Sequence, residues 1–155
     1  MRTLRVGVIS DTHGLLRPEA VAALQGSDLI IHAGDIGRPE VIEQLREVAP
    51  TFEVRGNNDE GAWAAGVPAT RIVDVGELLF YVLHEIPRLD VDPAVAGYAA
   101  VVSGHSHRPS VEFRGGILYL NPGSAGPRRF KLPVAVARVG VLGREMRPEI
   151  VELRV

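Results

Sequence analysis

Leu4-Arg5-Val6-Gly7-Val8-Ile9-Ser10-Asp11-Thr12-His13-Gly14 is the stretch that decides the fold. Leu4 to Ser10 is a short apolar run rich in β-branched residues, and a polar loop opened by Asp and closed by Gly follows it. That is how a strand running into a side-chain-bearing turn reads. The pattern recurs at Asp28 to Ala33 and at Thr51 to Arg55, each again ending in a polar, Gly-containing loop. Between these runs, Pro18 to Gln25 and Pro39 to Val48 carry helical spacing, with Pro placed where a first turn tolerates it. The first third is therefore expected to form β-α-β-α-β with parallel strands.

Outward from that unit the chain becomes strand-rich. Arg71 to Val75 and Leu78 to Leu83 flank Gly76-Glu77 as a hairpin, and Pro93 to Gly97 suits one short helix. Ala99 to Ser103, Ser110 to Arg114, Ile117 to Leu120, Val134 to Val139 and Arg147 to Leu153 read as further strands. Turns are expected at Gly115-Gly116 and across Val139 to Gly143. A parallel half followed by a strand-rich half predicts an α/β protein of two stacked sheets covered by helices. Residues 1–155 are expected to form one domain.

Composition narrows the function. With 46% hydrophobic and 23% charged residues the chain has material for a packed core and too little charge for disorder. No apolar stretch reaches the roughly 20 residues of a membrane span, and Asp11 and His13 stop the opening run short of a signal-peptide core, so a cytoplasmic location without membrane attachment is expected. A net charge of −2 argues against a duplex nucleic acid partner. The absence of Cys removes thiolate metal sites, leaving carboxylate, amide and imidazole ligands.

Those ligand types are concentrated in a few loops. Asp11 and His13 lie in Ser10-Asp11-Thr12-His13-Gly14, Asp35 follows Gly34, and Asn57 lies in Gly56-Asn57-Asn58-Asp59. His84 and then His105 and His107 in Gly104-His105-Ser106-His107 complete the set. Singly, each is an ordinary turn residue after a strand. Together they place four of the five histidines beyond strand ends, where ligands of open α/β sheets gather. His32 lies within its strand and is expected to orient a neighbouring group by hydrogen bonding. Asn121-Pro122-Gly123-Ser124 is a further turn beside the site, and Arg128-Arg129 reads as a solvated surface pair. The set suits Mn²⁺ first, with Fe, Co²⁺, Ni²⁺ or Zn²⁺ as compatible ions. Two ions about 3.5 to 4 Å apart clamp a phosphoryl group and activate water between them, and Asp35 is the expected bridge.

The series Asp-X-His, Gly-Asp, Gly-Asn-X-Asp, His and Gly-His-X-His, running from Ser10 to Ser124, resembles the calcineurin-like metallophosphoesterase superfamily, in its small single-domain phosphodiesterase branch. The resemblance implies a four-layer αββα sandwich of two mixed sheets flanked by helices. It further implies that Asp11, His13 and His107 bind one metal, that Asn57, His84 and His105 bind the other, and that Asp35 bridges. Two positions depart from the family: Glu85 stands where Gly is common and is expected to narrow the cleft. Asn58 stands where related phosphatases carry a general-acid His.

The expected activity is hydrolysis of a small phosphodiester by attack of metal-bound hydroxide, with His13 also touching the phosphate. The alternatives are a phosphomonoesterase or nucleotide phosphatase of the same superfamily, and a non-catalytic scaffold similar to a retromer subunit. Homo-oligomer formation is left open.

Overall fold

The structure, a computed structural model, describes residues 2–155. The βαβαβ unit is present: β1 (Leu4–Ile9), α1 (Pro18–Leu24), β2 (Leu29–His32), α2 (Pro39–Arg46) and β3 (Thr51–Glu53) follow one another. Pro18 and Pro39 open their helices at the first turn, where a missing N–H costs nothing. A single helical turn, α3 (Ala62–Ala65), leads to the hairpin of β4 (Thr70–Val75) and β5 (Leu78–Leu83). A 3-10 turn at Ile86–Arg88 and α4 (Pro93–Ala96) then precede β6 (Ala100–Val102), β7 (Ser110–Arg114), β8 (Ile117–Asn121), β9 (Ala135–Leu142) and β10 (Glu145–Glu152).

The strands form two five-stranded mixed sheets, ordered β10-β9-β1-β2-β3 and β4-β5-β6-β8-β7. Strand alternation explains how they stack. Val6 and Val8 of β1 point inward to meet Val73, Phe80, Val102 and Leu118 of the second sheet in one buried cluster, while Ile9 points outward. There Ile9 joins Leu24 of α1 and Val41 and Leu45 of α2. The outer face of the second sheet, with Tyr81, Leu83 and Val101, is covered by Leu89, Val91 and Tyr98 from the segment that carries α4. The expected sandwich is thus observed, with its fourth layer reduced to short helical turns.

One boundary is corrected. The turn expected across Val139 to Gly143 lies later, because β9 continues to Leu142 and β10 begins at Glu145. Gly140 is an interior residue paired with both Arg5 and Arg147. Among the described residues no helix is long and apolar enough to cross a membrane.

Candidate metal centre

Parallel pairing of β1 with β2 and of β2 with β3 in one sheet, and of β5 with β6 and β6 with β8 in the other, brings six strand ends to one edge of the sandwich. Asp11 follows β1, Asp35 follows β2, Asn57 follows β3, His84 follows β5, and His105 and His107 follow β6. The first two loops stay laced together past their strands, since Asp11 N–H donates to Gly34 O at 2.9 Å and His13 N–H donates to Asp35 O at 2.9 Å. Asp11, His13, Asp35, His105 and His107 all have left-handed backbone, with φ of 56°, 46°, 54°, 72° and 63°. Non-glycine residues avoid that region at a cost of roughly 1–2 kcal/mol each, so this edge holds unusual strain.

The side chains make two adjoining groups, one of Asp11, His13 and His107 and one of Asp35, His84 and His105, each with ligand atoms within 4.8 Å of one another. In the first, His107 Nε2 stands 3.2 Å from Asp11 Oδ1 and 3.5 Å from His13 Nε2. In the second, His84 Nε2 stands 3.3 Å from Asp35 Oδ2, and Asn57 Oδ1 lies 3.1 Å from His105 Nδ1. Asp35 Oδ2 is also 3.8 Å from His13 Nε2, so this carboxylate faces both groups. Asp11 Oδ1 likewise reaches within 3.8 Å of His84 Nε2. All seven residues singled out in the sequence meet at this edge.

A surrounding layer holds them in place. Asp11 Oδ2 accepts from Ser10 Oγ at 2.6 Å and from His105 N–H at 3.1 Å, which turns Oδ1 toward the centre. His84 Nδ1–H donates to Ala33 O at 2.7 Å and aims Nε2 at the carboxylates. His32 accepts from Gly34 N–H on Nδ1 at 3.1 Å, so its Nε2–H donates to Thr12 Oγ1 at 3.0 Å, and Thr12 passes a bond on to Ile36 O. This is the orienting role expected of it. Asn121 Nδ2 donates to Gly104 O and Ser106 Oγ, and Ser124 Oγ donates to Asp11 O, so the Asn121 to Ser124 turn buttresses the loops from behind. Arg128 and Arg129 are exposed, as expected.

Two supports escaped sequence reasoning. Asp59, nearly buried, accepts from the backbone N–H groups of Gly56, Ile36 and Gly37 and ties the third loop to the second. Asn58 donates to both Asp35 oxygens, from its backbone N–H at 2.9 Å and from Nδ2 at 3.1 Å. Asn58 therefore positions Asp35. The sequence signal was the density of Asx residues in Gly56-Asn57-Asn58-Asp59, which bond backbone groups in turns.

Burial alone would raise the carboxyls and depress the imidazole, yet the mutual contacts win. Asp35 is lowered to about 2 by the close approach of the His84 imidazole and by the bond from the Asn58 backbone N–H, and Asp11 is lowered by the nearby His107 imidazole and by the bond from Ser10. His84 is raised by Asp35 and by the Asp11 charge against its burial. The site draws positive charge into a buried place. His32 shows the opposite: desolvation lowers it to about 4 and keeps it neutral.

The donor set fits divalent cations. Asp11 Oδ1 and His84 Nε2 are buried, face the centre and have no hydrogen-bond partner, an expensive arrangement for polar atoms that have no ligand to bind. Carboxylate oxygen, amide oxygen and imidazole nitrogen together suit Mn²⁺, Fe, Co²⁺, Ni²⁺ or Zn²⁺.

Residues 4–142 match the calcineurin-like phosphoesterase superfamily domain. A probable metallophosphoesterase of Methanothermobacter thermautotrophicus is 33% identical over 159 residues, covering 94% of this chain and 91% of that protein. A predicted phosphoesterase from Streptococcus pneumoniae superposes with TM-score 0.75 at 26% identity, covering 98% of this chain and 91% of the other. Vps29 of Chaetomium thermophilum shares the fold with TM-score 0.83 at 20% identity, over 97% of this chain and 89% of that one. The chain belongs to the calcineurin-like phosphoesterase superfamily. Metal-binding hydrolysis of phosphoric esters is the activity that goes with its metallophosphoesterase relatives.

Proposed function

We propose that this protein hydrolyses phosphodiesters at a two-cation centre, Asp11, His13 and His107 holding one ion, Asn57, His84 and His105 holding the other, and Asp35 touching both. The observation that carries the reading is the pair of buried, unpartnered atoms, Asp11 Oδ1 and His84 Nε2, at the meeting point of two ligand-bearing groups. Mn²⁺ is the ion proposed. Such ions supply Lewis-acid polarisation of the phosphate and acidify a coordinated water.

The chain's own residues fix the rest. Ser10 and the His105 N–H hold the Asp11 carboxylate, and Asn58 holds Asp35, so neither must reorient as substrate binds. His13 is the most accessible group of its cluster, with a side chain 25% exposed, which supports its contact with the phosphate. In the overall reaction water adds to phosphorus, the bond to one alcohol oxygen breaks, and a monoester and an alcohol leave. Asn58 cannot donate the alcohol's proton, because a neutral amide is far too weak an acid to protonate an alkoxide, and its Nδ2 is held on Asp35 instead.

The likeness to Vps29 supports a second reading, a docking scaffold on the same fold. Purified protein supplied with Mn²⁺ is expected to turn over bis-p-nitrophenyl phosphate and to lose that activity to a chelator. Absence of turnover with Mn²⁺, Fe²⁺, Co²⁺, Ni²⁺ and Zn²⁺ at neutral and alkaline pH would favour the scaffold.

A further inference from the structure

We propose that Glu85 is a specificity determinant that makes the cleft discriminate against doubly charged phosphomonoesters in favour of singly charged diesters. The inference rests on the hydrolase reading above and adds a residue that chooses among phosphate esters.

Glu85 directly follows His84 and helps to line a cleft of about 490 Å³, whose walls include Asn57, His84, Thr70, Arg55 and Arg88. The cleft opens beside the second ligand group, and Glu85 Oε1 lies 3.8 Å from His105 Nδ1. A phosphate ester held between the two groups therefore has this carboxylate as a close anionic neighbour. The cations on the cleft wall do not cancel it. Arg55 is turned inward, its Nη1 donating to Ala64 O and Val67 O. Arg88 Nε donates to Glu85 Oε2 at 3.2 Å, but its side chain is 81% exposed against 20% for Glu85. Water screens the arginine more than the carboxylate, so the field inside the cleft keeps the sign of Glu85.

A phosphomonoester carries a charge of about −1.5 to −2 near neutral pH, whereas a diester carries a single charge. A fixed carboxylate therefore repels the monoester more. Such a repulsive element separates two ligands that make the same attractive contacts. With an effective dielectric between those of protein and water, one additional charge on a phosphate several ångströms from the carboxylate corresponds to a selectivity on the order of tenfold.

The experiment uses p-nitrophenyl phosphate and p-nitrophenyl methyl phosphate, which share a leaving group and differ in charge, with Mn²⁺-loaded protein at pH 8. Glu85→Gln is expected to raise the monoester-to-diester ratio of kcat/KM about tenfold, and Glu85→Asp to restore the wild-type preference. Arg88→Gln, which bares the carboxylate, is expected to move the ratio the other way. Added salt is expected to shrink the wild-type preference but not that of Glu85→Gln. Calorimetric titration gives a readout apart from turnover, with inorganic phosphate gaining affinity in Glu85→Gln relative to dimethyl phosphate. If wild type hydrolyses both esters and Glu85→Gln leaves both ratios unchanged at full metal content, the selectivity assignment is overturned and the hydrolase stands. If Glu85→Gln loses metal and both rates fall in proportion, Glu85 serves the metal site and the assignment is overturned. If wild type hydrolyses neither ester, the hydrolase reading fails and this inference fails with it.

Discussion

The two ends of the strands solve the same backbone problem with different residues. At the end away from the metal centre, the β4–β5 and β9–β10 hairpins turn through left-handed backbone at Gly76 and Gly143, both with φ of 60° and no Cβ to strain. At the site end the same region of backbone space is occupied by Asp11, His13, Asp35, His105 and His107. Where a turn has only to reverse the chain, glycine serves. Where it must also present a ligand, a strained Asp or His stands in its place, and the rest of the fold supports the cost. Phe130 shares the left-handed φ at an exposed position, and nothing in the structure explains it.

This contrast breaks most visibly at Asp35. Asp35→Asn is expected to reduce occupancy of both cations and to lower diester turnover by about 10³-fold or more, because one carboxylate faces both groups and electrostatic stabilisation supplies several kcal/mol. Metal analysis alongside kcat/KM checks this, and two retained equivalents with activity intact would remove Asp35 from its shared position.

A pH effect follows at His32, whose folded value of about 4 lies below its usual 6.5. The unfolded chain takes up this proton first. Stability contributed by the neutral ring is therefore complete above about pH 6.5 and is lost as pH falls toward 4, with a slope of about 1.4 kcal/mol per pH unit in between. Urea titrations of the metal-free protein at pH 7, 6 and 5 should show wild type losing stability faster than His32→Gln. Parallel losses would mean that His32 does not carry the effect.

Asp59→Ala frees three backbone N–H groups that join the site loops. It is expected to cost about 2 kcal/mol in denaturant unfolding and to loosen metal binding, whereas a surface acid such as Glu77 should cost under about 0.5 kcal/mol. Equal effects at the two positions would deny Asp59 its tying role.

The smallest effects sharpen the contrast by exchanging residue types between the ends. Gly76→Ala puts a Cβ on left-handed backbone and is expected to destabilise by about 1 kcal/mol without changing metal affinity. His105→Gly relieves strain at a half-exposed side chain, so the metal-free protein should gain about 0.5 kcal/mol while metal affinity falls. Thermal unfolding with and without Mn²⁺ reads both, and a destabilised metal-free His105→Gly would show that the left-handed turn is not under strain.

What was legible in the sequence follows from the same contrast. The strands β1, β2, β3 and β5 end abruptly in polar loops, so apolar runs and ligand residues were visible together. Gly140 misled because glycine usually punctuates, whereas here it is paired on both sides inside β9, and the real turn comes at Gly143. Pro148 falls in β10, where a lost donor is tolerable because β10 is an edge strand. The four-residue helix α3 and the 3-10 turn are too short to carry a period. The positioning roles of Asn58 and Asp59 depend on partners 22 or 23 residues away, the Asp35 carboxylate for the first and the Ile36 and Gly37 N–H groups for the second, and no local pattern encodes such partners.

The proposed two-cation centre would join these loops through Asp35. Anomalous diffraction from Mn²⁺-loaded crystals tests it most directly. Two peaks about 3.5 to 4 Å apart are expected, one among Asp11, His13 and His107 and the other among Asn57, His84 and His105, with the Asp35 carboxylate reaching both. A single peak, or two peaks that Asp35 does not join, would contradict it.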